Sequence, residues 1–135
     1  MAVKSRTLDQ WLDDIAVAAT KIARHADPIS YKEFLSDEAI QDLVIKKIEI
    51  MGEAARHIAR DHRDFAEAHG NIPWSSLTRM RDRMIHGYWT VMPATLWQTA
   101  REDMRQVSRM IATAISDRAE ALVLRSWRPK SGWER

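Results

Sequence analysis

The chain contains no cysteine. That excludes disulfides, thiolate nucleophiles and cysteine-based zinc sites, and it fits a reducing compartment. Glycine and proline are also scarce, four of each in 135 residues, so turns are few and the elements between them long. No stretch approaches the roughly 18 apolar residues of a membrane span. The charges in Met1–Arg6 are followed by no apolar run, so no signal peptide is expected. With a length that suits one domain, these absences lead us to expect a soluble, cytoplasmic protein with no membrane partner.

Net charge is small, +2, but unevenly spread. Residues 1–55 hold 7 basic and 10 acidic side chains; residues 56–135 hold 14 and 9, and of those 14 all but Lys130 are arginine. A guanidinium presents a planar fork of donors that matches phosphate. The second half therefore leans toward an anionic partner, the plain alternative being a solvated basic surface.

Apolar spacing predicts an all-α bundle of four main helices joined by short loops. The first runs from Leu8 to Ala26, with Leu8, Trp11/Leu12, Ile15, Ala19, Ile22 and Ala26 on one face and Thr7 as N-cap. Asp27-Pro28 ends it. Residues 29–35 read as a connector. Ser36 reads as the N-cap of a second helix reaching Ala59, whose wide stripe (Ile40, Val44, Ile48, Met51, Ala55, Ile58) predicts more than one neighbour. Gly52 inside it costs about 1 kcal/mol against alanine, which points to close approach of another helix backbone. Residues 60–73 read as a loop with one short helical turn. A short third helix spans Trp74–His86, with Gly87 expected as a left-handed C-terminal cap. Pro93 opens a fourth helix that continues to Leu122. The domain is expected over residues 1–124, followed by a basic tail, 125–135, carrying Trp127 and Trp133. That tail mixes basic and aromatic residues, as single-strand nucleic-acid binders do, and reads equally as a disordered terminus.

The segment Met80-Arg81-Asp82-Arg83-Met84-Ile85-His86-Gly87-Tyr88-Trp89 gathers the polar chemistry, with Met84 and Ile85 facing the core. Imidazole exchanges protons near neutral pH, and a guanidinium stabilises the extra charge of a phosphoryl transition state. RNA brings its own nucleophile, the 2′-hydroxyl, so a His base with an Arg clamp is one way to cut it without metal. Arg81 and Tyr88, seven apart, share a face if the helix continues. Arg81 and His86, five apart, are separated by about 140° on a regular helix. They converge only through a bend at Gly87 or a second subunit, and a two-fold dimer would place two of each in one groove. The competing structural reading has His86 capping the helix's last carbonyls and Arg81 paired with Glu49 or Glu53. His25, His57, His62 and His69 lack metal-ligand spacing, so no metal and no cofactor are expected.

Arg81-x4-His86-x-Tyr88 resembles the Arg-x4-His-x-Tyr motif of the HepT-like proteins of the HEPN superfamily. Lys47 to Ala54 resembles that family's glycine–glutamate–alanine helix, and Ile72-Pro73-Trp74 and Leu96-Trp97 resemble its later landmarks, in the same order across residues 8–122. The resemblance implies a helical HEPN-type homodimer and a metal-independent endoribonuclease toxin of a type VII toxin–antitoxin system. It implies Arg81 and His86 as catalytic residues in a cleft at the dimer interface, with Asp82, where many relatives carry Asn, orienting one of them. It also implies a minimal nucleotidyltransferase antitoxin that adenylylates Tyr88. Arg79, Arg83 and Trp89 are candidates for RNA contact, although a tryptophan at that position is also expected to pack in the core. A non-catalytic binding subunit of a nucleotidyltransferase is the competing reading.

Overall fold

In the computed structural model, which describes residues 5–127, the chain is helical and no strand occurs among the described residues. Helix α1 (Leu8–Ala26) has the bounds its periodicity predicts. Thr7 Oγ1 accepts from the Gln10 backbone N–H at 3.2 Å while Gln10 Oε1 accepts from the Thr7 N–H at 2.9 Å. Two otherwise orphaned donors are thus satisfied reciprocally.

The connector expected over 29–35 contains a helix, α2 (Tyr31–Leu35), closed by a second capping box between Ser30 and Glu33. Five residues are too few to show periodicity, but they carry Phe34 into the core, fully buried. Ser36 is consequently not the N-cap of the next helix. Its hydroxyl donates back to the Glu33 carbonyl at 3.1 Å, and Asp37 caps α3 (Glu38–Asp61) by accepting from Ile40 N–H at 3.1 Å. An acidic cap also complements the positive end of the helix dipole. The short helical turn expected within 60–73 is α4 (Arg63–Ala68).

Helix α5 (Trp74–Gly87) ends differently from expectation. Gly87 has φ −173°, extended rather than left-handed, and the chain passes into a 3-10 turn, Tyr88–Thr90. Thr90 Oγ1 closes this corner by donating to the Gly87 carbonyl at 2.6 Å. Pro93 does open the next helix, α6 (Pro93–Gln98), where its missing N–H costs nothing. The single fourth helix is interrupted, however, by a π turn at Thr99–Asp103 before α7 (Met104–Ser126), which runs four residues past the expected Leu122. From the π turn, Arg101 reaches the carbonyls of Ala26 and Asp27 at 3.3 and 3.0 Å, placing a cation on the negative end of α1. The tail beyond Trp127, including Lys130 and Trp133, lies outside the described residues.

The long helices pack in the order α5, α3, α1, α7. The wide apolar stripe of α3 is explained by its two neighbours: Val44, Ile48, Met51 and Ile58 are buried between α1 and α5. Leu12, Ile15 and Ile22 of α1 and Met104, Val107 and Ile111 of α7 complete the core. Gly52 is where α5 comes closest. A Cβ there would fall on the Leu77 carbonyl oxygen and Arg81 Cβ and lie 3.2 Å from Arg81 Cα. Glycine at this position lets the backbone of α5 rest on α3, and so sets where Arg81 emerges.

Candidate active site at the seam of α3 and α5

Arg81 leaves α5 beside Gly52, and its side chain meets the next residue of α3, Glu53. Arg81 Nε lies 2.7 Å from Glu53 Oε2, and Arg81 Nη1 lies 2.8 Å from Asp82 Oδ1. The Glu53 contact is a close ion pair without hydrogen-bond alignment, and Oε2 is enclosed with no hydrogen-bond partner among the described residues. Of the two acids expected to pair with Arg81, Glu53 does so and Glu49 pairs with Lys46 at 3.5 Å. Asp82 lies against Arg81.

Glu53 is the hub of a network that the sequence pattern does not single out. Its Oε1 accepts from Arg56 Nη2 at 3.1 Å and from His57 Nε2 at 2.9 Å. His57 Nδ1 in turn accepts from Arg60 Nη2 at 2.9 Å. The His57 ring stacks on Trp11 of α1, centroids 4.3 Å apart and planes nearly parallel, and Arg6 lies over that indole at 4.7 Å. Partial burial raises the pKa of Glu53, but hydrogen bonds from Arg56 and His57 and the charges of Arg56 and Arg81 outweigh it, holding the carboxyl below its ordinary value. The Asp61 carboxyl, hydrogen-bonded by Arg60, is pushed down to about 2. The signal that could have revealed this ladder is the i, i+4, i+8 spacing of Glu53, His57 and Asp61 on one helix face.

An open groove of about 370 Å³ and another of about 320 Å³ flank the motif. The smaller is lined by Arg81, Ile85, Glu53, Glu49, Lys46 and Trp11. His86 does not line it: α5 stays helical through Gly87, so the angular separation of Arg81 and His86 persists within one chain. His86 is exposed and makes no hydrogen bond or ion pair among the described residues, so it does not cap the helix carbonyls. Tyr88 turns with the 3-10 corner into the larger groove, beside Glu38, Gln41 and Asp42 of α3. Arg81 and Tyr88 therefore face different grooves.

The remaining site candidates separate. Arg83 Nη2 donates to the Thr90 carbonyl at 3.4 Å, bracing the corner. Arg79, two residues before Arg81 on α5, donates from Nη2 to Ser76 Oγ at 3.2 Å. Trp89, for which a core position was expected, is 71% exposed and stands edge-on to Tyr88, centroids 5.4 Å apart. Ile85 is likewise 43% exposed rather than in the core, whereas Met84 is buried as expected. Ile85, Tyr88, Trp89 and Met92 leave an exposed apolar rim around the helix end. Among the described residues no three His, Asp or Glu side chains gather as a metal-ligand set, and no helix is long and apolar enough to cross a membrane.

Residues 15–114 match the family model described as ribonuclease HepT-like. Among curated proteins, one named a probable ribonuclease HepT from Thermococcus cleftensis is 39% identical over 99 residues, 73% of this chain and 87% of that protein. Two proteins of Methanocaldococcus jannaschii named as candidate RNases are 30% and 32% identical, covering 81% and 85% of this chain and 97% of each relative. No solved structure matches the chain.

Proposed function

Since the chain belongs to the HepT-like ribonuclease family, we propose that it is a metal-independent endoribonuclease whose active site is completed by a second copy of itself. The observation that carries this reading is the placement of the motif pair. Arg81 is oriented by Glu53 and Asp82 in one groove, while His86 stands exposed on another side of the same helix, with no hydrogen bond or ion pair among the described residues. A regular helix cannot bring them onto one phosphate, but a two-fold axis near the helix end can bring Arg81 of one subunit to His86 of the other. The exposed rim of Ile85, Tyr88, Trp89 and Met92 supplies apolar surface for such an interface.

In this reaction His86 removes the proton of the ribose 2′-hydroxyl. The 2′-oxygen bonds to phosphorus as the bond to the 5′-oxygen breaks, leaving a 2′,3′-cyclic phosphate; the departing 5′-oxygen takes a proton from water, and His86 returns its proton to the hydroxide so formed. Arg81 stabilises the charge that builds on the phosphoryl oxygens. Tyr88, 52% exposed at the same corner, is the site we assign to adenylylation by a minimal nucleotidyltransferase antitoxin. An added AMP would place a phosphate charge and a bulky base on the apolar rim proposed to meet the second subunit, opposing assembly of the shared site. On this reading the protein is the toxin of a type VII toxin–antitoxin pair.

The test uses two inactive proteins, Arg81→Ala and His86→Ala, assayed with total RNA in excess EDTA, alone and after mixing under subunit exchange. Sites shared between subunits restore about a quarter of the parent activity in the mixture, because half the dimers are mixed and each holds one intact site. Sites confined to one chain restore nothing. If the unmodified parent itself fails to cut, the enzymatic reading falls and a binding subunit for the nucleotidyltransferase takes its place.

A further inference from the structure

A third groove, about 520 Å³, opens along the same seam on the far side of Glu53 from Arg81's own groove. Four arginines line it: Arg56 and Arg60 of α3, Arg63 at the start of α4 and Arg79 of α5, above a floor that includes the buried Trp74. Among the described residues no acidic side chain lines it. Arg56 and Arg60 each have one carboxylate neighbour, Glu53 and Asp61. Arg63 and Arg79 have none among the described residues, Arg79 bonding only the neutral Ser76 hydroxyl. Four guanidiniums therefore share one concave strip, and only two of them have a carboxylate partner, neither of which lines it.

We propose that this strip is a phosphate-backbone site for single-stranded RNA, holding the strand that leads into the cleavage site. The inference rests on the ribonuclease reading and adds to it where the rest of the substrate lies. Three physical points converge. Arg56 and Arg60 are one turn apart on α3, a rise of about 6 Å, comparable with the step between successive phosphates of a strand. Arginine rather than lysine is used at all four positions, the residue whose fork matches phosphate oxygens. And the groove abuts the reaction centre: one carboxylate, Glu53, accepts from Arg56 on one oxygen and pairs with Arg81 on the other. A strand bound by Arg56 thus reaches Arg81 within one side chain. The Tyr88 groove, lined by Glu38 and Asp42, repels the same backbone, which leaves the arginine strip as the favourable path.

The experiment measures binding apart from cleavage, in the His86→Ala protein, by fluorescence anisotropy with a labelled oligouridylate of about twenty nucleotides across a salt series. Arg63→Gln/Arg79→Gln is compared with Lys21→Gln/Arg24→Gln, which removes the same charge from α1. Loss of two phosphate contacts weakens binding roughly tenfold or more near 0.1 M salt and lowers the slope of log affinity against log salt by about 1.4. The α1 variant keeps the parent slope. Equal slopes for both variants overturn the proposal, and cleavage by the unsubstituted protein then shows that the ribonuclease reading survives it. If the parent neither binds nor cuts RNA, both readings fall together. A groove variant that binds RNA normally but changes its sedimentation, or loses binding only to an acidic protein partner, also overturns the RNA assignment.

Discussion

Replacing Gly52 with alanine sets two effects against each other. In an exposed helix interior the change stabilises by about 1 kcal/mol, because alanine loses less backbone freedom. Here the new Cβ would fall on the Leu77 carbonyl oxygen and Arg81 Cβ, with Arg81 Cα at 3.2 Å. None of these atoms can rotate away, so α5 itself must move from α3. Overpacking of this kind costs about 1–3 kcal/mol or more, and backbone collisions belong at the upper end. The net expectation is a loss of about 2 kcal/mol, a fall in Tm of roughly 6–8 °C for a chain of this size. Thermal and urea unfolding followed by circular dichroism read it directly. The collision is also at Arg81, so residual ribonuclease activity should fall by more than the small loss of folded protein at 25 °C explains. A Tm that rises by the few degrees expected of helix propensity alone would refute the close approach of α5, and with it the account of how Arg81 is placed.

The other expectations concern the network, the core and the exposed motif. Glu53→Gln removes a carboxylate whose pKa is lowered in the folded state, so its stabilising contribution exists above the ordinary carboxylate range and disappears as pH falls through the lowered value. Parent and variant should differ in Tm at pH 7 and converge below about pH 4; a gap that widens on acidification contradicts the sign. Phe34→Ala empties a fully buried site beside Trp97, ring centroids 5.2 Å apart, and should cost about 3–5 kcal/mol by urea unfolding. Arg101→Ala strips the cation from the end of α1 and should cost about 1–2 kcal/mol, with Arg101→Lys recovering part of it. His86→Ala, at an exposed position with no bond among the described residues, should change stability by no more than about 0.5 kcal/mol while abolishing cleavage; a large drop in Tm would mean that His86 holds the fold instead.

Local pattern determined much of this protein. The 3.6-residue spacing of Leu8, Leu12, Ile15, Ala19 and Ile22 placed α1 to the residue, because a long amphipathic helix repeats its signal over many turns. The same logic exposed the central role of α3 and the close contact at Gly52, since a helix that is apolar on two sides and tolerates glycine must have two neighbours. The motif residues stood out in the sequence because Arg, His and Tyr clustered where a helix ends. Short elements were not legible. α2 shows only its Ser30/Glu33 box, and Ser36 and Asp37 are both competent caps, so the choice between them depended on whether α2 existed. The conformation of Gly87 and the π turn at Thr99–Asp103 were decided by side-chain contacts that periodicity does not encode: the Thr90 hydroxyl closes one corner, and Arg101 reaches the end of α1 from the other. Tertiary structure alone determined which groove each motif residue faces. Arg81 is turned toward Glu53 by the packing of α5 on α3, Tyr88 is turned away by a 3-10 corner, and Arg56, Arg60, Arg63 and Arg79, spread over 24 residues of sequence, meet in one strip because α5 returns antiparallel along α3. Periodicity reports which side of a helix is buried. It carries no information about which polar side chains from different helices will face one another, because that is set by the packing of one helix on the next.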